Sequence, residues 1–215
     1  GLIMEGYRKI LSKTHQGVVL RVIPGHFATV NSHVNYYIDM SLVKCRQSEA
    51  NMIAKAIAQK YVTSTIVDTI LCMDGCEVIG AYLANQLTEG GFISMNAHQT
   101  IYVTTPEFTP SGQLLFRENV QHMIRDRSVL VLLGSSTTGK EASSAVDVVK
   151  YYGGRIAGIS AVFSAKDEVY KYPINAIFTP EDIPDYATYS PNDCELCKQN
   201  IPIDAIVNGF GFARL

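Results

Sequence analysis

The segment Gly134-Ser-Ser-Thr-Thr-Gly-Lys-Glu141 gathers two glycines, four consecutive hydroxyl residues and a lysine. It lies between the apolar run Ser128-Val-Leu-Val-Leu-Leu133 and a stretch of helical spacing from about Glu141 to Tyr151. A turn between a strand and a helix collects backbone N–H groups at one point, and the helix N-terminus adds partial positive charge there. Gly139 permits close backbone approach, Ser135, Ser136, Thr137 and Thr138 offer hydroxyl donors, and Lys140 offers a point charge. Phosphate binding over Ser135–Glu141 is the chemistry expected; the plainer alternative is a Ser/Thr-rich turn that only caps the helix.

The spacing G-x-x-x-x-G-K also matches the first seven positions of a P-loop, and the eighth separates the two readings. A P-loop needs Ser or Thr there to ligate magnesium, whereas this chain has Glu141, an anion that opposes a triphosphate. The following run, Ile156 to Phe163, ends without the Asp that would hold the metal. Nucleotide triphosphate hydrolysis is therefore disfavoured.

Strand, helix, the Gly153-Gly154 turn and a second strand within this region form a βαβ unit, which implies a parallel sheet with a right-handed crossover. Upstream, Gln47–Tyr61 and the segment around Val78, Ile79, Tyr82 and Leu83 read as helices, with Thr69–Met73, Phe92–Met95 and Ile101–Val103 as short strands. Residues Thr104–Gly112 read as a polar loop, Ala176–Thr179 as an edge strand, and Pro180–Leu215 as mostly loop. At the start, Leu2–Lys13 has amphipathic helical spacing, while Val18–Ile23 and Asn35–Met40, separated by Pro24-Gly25, predict a small antiparallel sheet.

The run Val129-Leu-Val-Leu-Leu-Gly-Ser-Ser-Thr-Thr-Gly-Lys-Glu141 resembles the phosphoribosyl pyrophosphate (PRPP) loop of type I phosphoribosyltransferases. That family pattern is four apolar residues, two acidic residues, two small residues and Thr-Thr-Gly. His33-Val-Asn-Tyr-Tyr-Ile-Asp39 is similar to the hood strand of orotate phosphoribosyltransferases, and Cys194-Glu-Leu-Cys-Lys-Gln-Asn-Ile-Pro-Ile203 to a tail seen in some members. The resemblance implies an α/β type I phosphoribosyltransferase fold, a twisted and mostly parallel sheet flanked by helices with a small hood. The hood would take residues 1–45 and the tail 180–215, around a core of 46–179, in one 1–215 domain. It also implies transfer of ribose 5-phosphate from PRPP to a pyrimidine-like base, and a homodimer.

Several positions depart from that pattern. The paired carboxylates that hold the ribose correspond to Leu133 and Gly134. The pyrophosphate-loop position reads Asp74-Gly75-Cys76-Glu77, with carboxylates where a leaving pyrophosphate needs cations, so magnesium could bridge there although nothing else in the sequence calls for it. Three cationic positions of the mobile loop carry Thr104, Thr105 and Phe108. These losses imply a second reading, a catalytically impaired relative that binds a nucleotide monophosphate or sugar phosphate as a sensor or regulator. Tyr36 and Tyr37 are the candidates to stack on a base, against the plainer role of packing.

The rest of the sequence narrows the setting. Of 215 residues, 47% are hydrophobic and 18% charged, which excludes a disordered chain. With net charge −2 and no run of Lys or Arg, nucleic acid is not an expected partner. Apolar stretches fall short of a bilayer span, so no membrane partner and a cytoplasmic location are expected. The five cysteines read as reduced thiols. Cys194 and Cys197 have the spacing of half a zinc knuckle, but no second Cys pair or nearby His completes it in sequence, and no metal is expected; His15, His26, His33, His98 and His122 read as isolated surface or packing residues.

Overall fold

A computed structural model describes residues 6–215. The chain opens with β1 (Arg8–Leu11), β2 (Val19–Ala28) and β3 (His33–Asp39), followed by two helices, α1 (Ser41–Cys45) and α2 (Gln47–Tyr61). Then come β4 (Thr69–Cys72), α3 (Glu77–Thr88), β5 (Tyr102–Thr104), β6 (Glu107–Phe108), β7 (Leu114–Leu115) and β8 (Ser128–Ser136). The last third holds α4 (Lys140–Tyr151), β9 (Arg155–Ser164), β10 (Glu168–Val169), β11 (Tyr172–Phe178), β12 (Thr188–Tyr189), α5 (Glu195–Lys198), β13 (Ala205–Asn208) and β14 (Gly211–Arg214).

The main sheet runs β10-β11-β9-β8-β4-β5, parallel from β11 to β5, with β10 added antiparallel at one edge. Its central strand explains why the apolar run Val129–Leu133 does not alternate with polar residues. Leu130 and Leu132 pack with α2 and α3 residues such as Ile53, Ile57 and Ile79, while Val129, Val131 and Leu133 pack with Ala142, Val146 and Val149 of α4. Helices cover both faces, so every position from Val129 to Gly134 is buried. In α4 the buried set Ala142, Ala145, Val146 and Val149 follows helical spacing and lays one stripe on the sheet.

The second sheet, the hood, has the order β12-β3-β2-β13-β14, with β1 also paired to β2. β13 runs parallel to β2, placing Ala205 opposite Phe27, and Ile23, Phe27, Val34, Tyr37, Ala205 and Val207 form its own small core.

Several sequence expectations are corrected here. Arg8–Leu11 is a strand, not part of a helix, and residues 1–5 of the expected Leu2–Lys13 helix lie outside the described residues. Pro24-Gly25 does not end the strand; β2 continues through it with a register shift between Pro24 and Phe27, and the turn comes at residues 29–32. Instead of a strand at Phe92–Met95, Gly91–Ile93 forms a single 3-10 turn. The expected loop after β5 folds into the β6–β7 hairpin, tied by the Arg117–Glu107 pair at 2.8 Å. The expected edge strand is longer than Ala176–Thr179: β11 spans Tyr172–Phe178, and the two-residue β10 pairs outside it only at Tyr172 and Pro173. Pro180–Leu215 is not loop: it supplies β12, β13 and β14 to the hood.

Candidate functional site

Between the hood and the C-terminal ends of the parallel strands lies a cleft of about 710 Å³, counting its open mouth. This is where an open α/β sheet places its ligands, since the strand-to-helix turns expose backbone donors there. β8 delivers Ser135 to the cleft, the turn after it Thr137, and α4 delivers Glu141 from its first turn. Gly139 begins α4 in the left-handed region at φ 81°, a conformation that a residue without a Cβ adopts at no steric cost. Lys140 points away and reaches Asn31 of the hood turn at 3.3 Å. Ser136 does not line the cleft; its hydroxyl is buried and, among the described residues, without a hydrogen-bond partner.

The second turn, after β4, is tight because Asp74 and Gly75 both have positive φ, 55° and 74°, and the Cys76 N–H closes it on the Met73 carbonyl at 3.2 Å. This bend throws Asp74 into the cleft, turns Cys76 into the core and leaves Glu77 exposed on α3. Of the two acidic residues expected at this position, only Asp74 therefore belongs to the site. Burial pushes the Cys76 thiol far above its ordinary pKa, which rules it out as a ready nucleophile.

Lys44 of α1 was not expected. Its Nζ lies 3.2 Å from Asp74 Oδ2 and donates to the Gly209 carbonyl at 2.8 Å, with its side chain only 7% exposed. The pair sits above Gly134: a Cβ there would come 2.8 Å from Asp74 Oδ2 and 3.1 Å from Lys44 Cε. Leu133 beside it is turned into the core under α4. The two positions that carry acids in the resembling family thus have no side chain in the cleft, and the space over Gly134 is filled by a carboxylate and an ammonium from other elements.

Glu141 is the other carboxylate. Burial, reinforced by Asp74 and opposed by Lys44, raises its pKa from the ordinary 4.5 to about 7. The folded chain therefore binds this proton more tightly than the unfolded chain, so Glu141 lowers stability progressively as pH rises from 4.5 to 7. Glu141→Gln is expected to unfold like the parent at pH 4 and to be more stable by about 1–3 kcal/mol at pH 8, from the size of the shift. Urea denaturation at the two pH values checks this; equal stability at both would place Glu141 in open water.

The roof is aromatic. Tyr36, Tyr37 and Tyr186 line the cleft, with Thr29, Val34, Met40, Val207, Asn208 and Gly209. Tyr37 is fixed by Phe27 and Phe212, at ring distances of 6.0 and 5.6 Å, and burial raises its pKa. Tyr186 packs edge-on against Phe163 at 5.3 Å. Thr104, Thr105 and Phe108 do not line the cleft. Sequence reasoning missed Lys44, Tyr186, Asn208 and Gly209; the only local signal was a lone lysine inside the apolar Leu42-Val-Lys-Cys45 helix.

No family model matches the chain. Its architecture is nevertheless that of the type I phosphoribosyltransferases: the PRPP complex of Mycobacterium tuberculosis H37Rv orotate phosphoribosyltransferase superposes with a TM-score of 0.51, at 16% identity, over 68% of this chain and 82% of that one. Relatives in sequence include orotate phosphoribosyltransferases. That of Chlorobaculum parvum is 25% identical over 185 residues, covering 86% of this chain and 88% of that protein. That of Carboxydothermus hydrogenoformans is 22% identical over 201 residues, covering 93% and 95%.

Proposed function

We propose that the cleft binds a 5-phosphoribosyl ligand and that the chain transfers the ribose 5-phosphate of PRPP to a pyrimidine-like base. The observation that carries this is the convergence on one cleft of the Ser135–Glu141 turn, the Asp74 carboxylate over Gly134 and the aromatic roof of Tyr36, Tyr37 and Tyr186. In this reading the 5-phosphate takes the Ser135 and Thr137 hydroxyls and the N–H groups that open α4. Asp74 accepts from the ribose hydroxyls, and the base lies under the tyrosines. A new bond from base nitrogen to C1′ forms as the bond from C1′ to pyrophosphate oxygen breaks; the pyrophosphate leaves with that electron pair, and the proton of the base nitrogen passes to solvent. Relatives named for orotate support the pyrimidine, and a neighbour solved with PRPP supports the phosphoribosyl donor.

Magnesium would arrive on the pyrophosphate, as small hard cations usually do. Lys44 already neutralises Asp74, which leaves Glu141 as the one uncompensated carboxylate lining the cleft among the described residues. The cleft therefore offers a partner to a substrate-borne ion more than a dedicated metal cage. We also propose a homodimer, which the family resemblance implies, and a cytoplasmic location.

A second reading is favoured by one specific observation: Lys44, the only cation lining the cleft among the described residues, is engaged by Asp74 and Gly209, and no cation comes from Thr104, Thr105 or Phe108. Pyrophosphate departure would then lack its clamp, and the chain would hold a nucleotide monophosphate without turnover. Incubation with PRPP, orotate and magnesium separates the two. Orotidine 5′-monophosphate formed above a no-protein control supports transfer; binding of the monophosphate without turnover supports the sensor.

A further inference from the structure

The expectation that no histidine stands near Cys194 and Cys197 is corrected by the fold, and the correction defines a second site. α5 carries Cys197, with Cys194 just before it, and the tail lays both against the end of β2 and the start of β3, where His26 and His33 lie. One ligand atom from each of the four residues falls within 4.8 Å of all the others. We propose that His26, His33, Cys194 and Cys197 hold a structural zinc ion.

The distances argue for coordination. A tetrahedral zinc with bonds of ~2.0–2.1 Å to nitrogen and ~2.3 Å to sulfur separates two nitrogens by about 3.3 Å and nitrogen from sulfur by about 3.5 Å. Here His26 Nε2 lies 3.2 Å from His33 Nδ1, 3.6 Å from Cys194 Sγ and 3.7 Å from Cys197 Sγ, and His33 Nδ1 lies 3.4 Å from Cys197 Sγ. Hydrogen bonding alone does not account for this convergence. His26 Nδ1 is 2.8 Å from the Ile201 carbonyl, which makes Nδ1 the protonated nitrogen and leaves Nε2 with one lone pair facing three neighbours. A ring held by its outer N–H against a carbonyl is the support that metal-bound histidines ordinarily have. Two thiolates and two imidazoles in a tetrahedron select zinc, and four protein ligands leave no open position for chemistry.

The ion would act on the cleft through the tail. His26 N–H donates to Asp204 Oδ2 at 2.9 Å, and the Asp204 N–H returns to the His26 carbonyl at 2.8 Å. β13 begins at the next residue, and three of the residues that follow, Val207, Asn208 and Gly209, line the cleft. Fixing Cys194 and Cys197 to the β2–β3 hairpin thus fixes the segment that receives Asp74 and Lys44.

Elemental analysis of the untagged chain, expressed with added zinc and dialysed, is expected to give one zinc per chain. Cys194→Ser with Cys197→Ser, and separately His33→Ala, are expected to fall to background, and chelation of the parent to lower Tm by roughly 5–10 °C. Should the variants not fold, cobalt titration of the demetallated parent decides: saturation at one equivalent, with the intense visible absorption of tetrahedral thiolate-bound cobalt, supports the site. The proposal is overturned by a folded parent that takes up neither metal, by variants that keep their zinc, or by a stable Cys194–Cys197 disulfide in reduced preparations. These readouts do not depend on the nature of the cleft's ligand.

Discussion

Replacing Gly209 by valine is expected to lower stability by about 3 kcal/mol and to abolish ligand binding in the cleft. A Cβ at this position would stand 1.6 Å from Asp74 Oδ1 and 2.7 Å from Asp74 Cγ, a separation that only a hydrogen fits. The carboxylate must then swing away, and with it goes the 3.2 Å contact to Lys44, whose ammonium also depends on the Gly209 carbonyl. Overpacking alone costs about 1–3 kcal/mol, and leaving a buried charge without its partner costs up to about 5 kcal/mol, a cost reduced here because Asp74 can turn to water. The urea midpoint should fall with an unchanged slope, while Phe210→Ala, at a side chain 91% exposed, should match the parent. A Gly209→Val chain as stable as the parent would mean that the β13–β14 turn does not rest on Asp74.

Gly139→Asp is expected to leave the fold standing and to weaken binding of a nucleotide monophosphate about 100-fold. An added Cβ meets only Lys166 Cγ at 3.5 Å, an ordinary contact, and the left-handed φ of 81° costs roughly 1 kcal/mol, which aspartate tolerates better than most residues. Gly139 is the N-cap of α4, and an aspartate there accepts from the first N–H groups of the helix, so it competes with phosphate for them and repels it. Each charge-assisted hydrogen bond lost is worth about 1.5–3 kcal/mol, and one or two suffice for the stated effect. Calorimetric titration of parent and variant with orotidine 5′-monophosphate measures it; equal affinities would move the phosphate away from this turn.

The central part of this fold was legible because local and long-range preferences agree there. Ser128–Leu133 is apolar at nearly every position, as a strand covered on both faces must be, and α4 places its buried residues at helical intervals behind a glycine turn. At the periphery the two disagree. The spacing of Tyr7, Ile10 and Leu11 suggests a helix, yet Arg8–Leu11 pairs along β2, whose neighbouring strand decides the matter. β13 is four residues long and alternates buried Ala205 and Val207 with exposed positions, too short a signal to stand out within a polar tail; its place is set by pairing with Phe27 and Ala28.

The same contrast holds for the sites. Ser135, Thr137 and Glu141, which line the cleft, could be read from one continuous turn, and Asp74 from another. Lys44, Gly209 and Tyr186 come together only through the packing of hood on core, and nothing in a linear reading links Lys44 to residues more than a hundred positions away. His26 and His33 likewise read as isolated until the tail brings Cys194 and Cys197 to them.

Calorimetric titration of the unaltered chain with PRPP and with orotidine 5′-monophosphate, each with and without magnesium, tests the phosphoribosyl site most directly. Saturable binding of at least one of them with one ligand per chain is expected, and without magnesium it should tighten as pH falls through 7 and the Glu141 carboxyl takes up its proton. Absence of binding by either ligand at every pH, in a chain that is folded, would contradict the assignment of the cleft while leaving the fold as described.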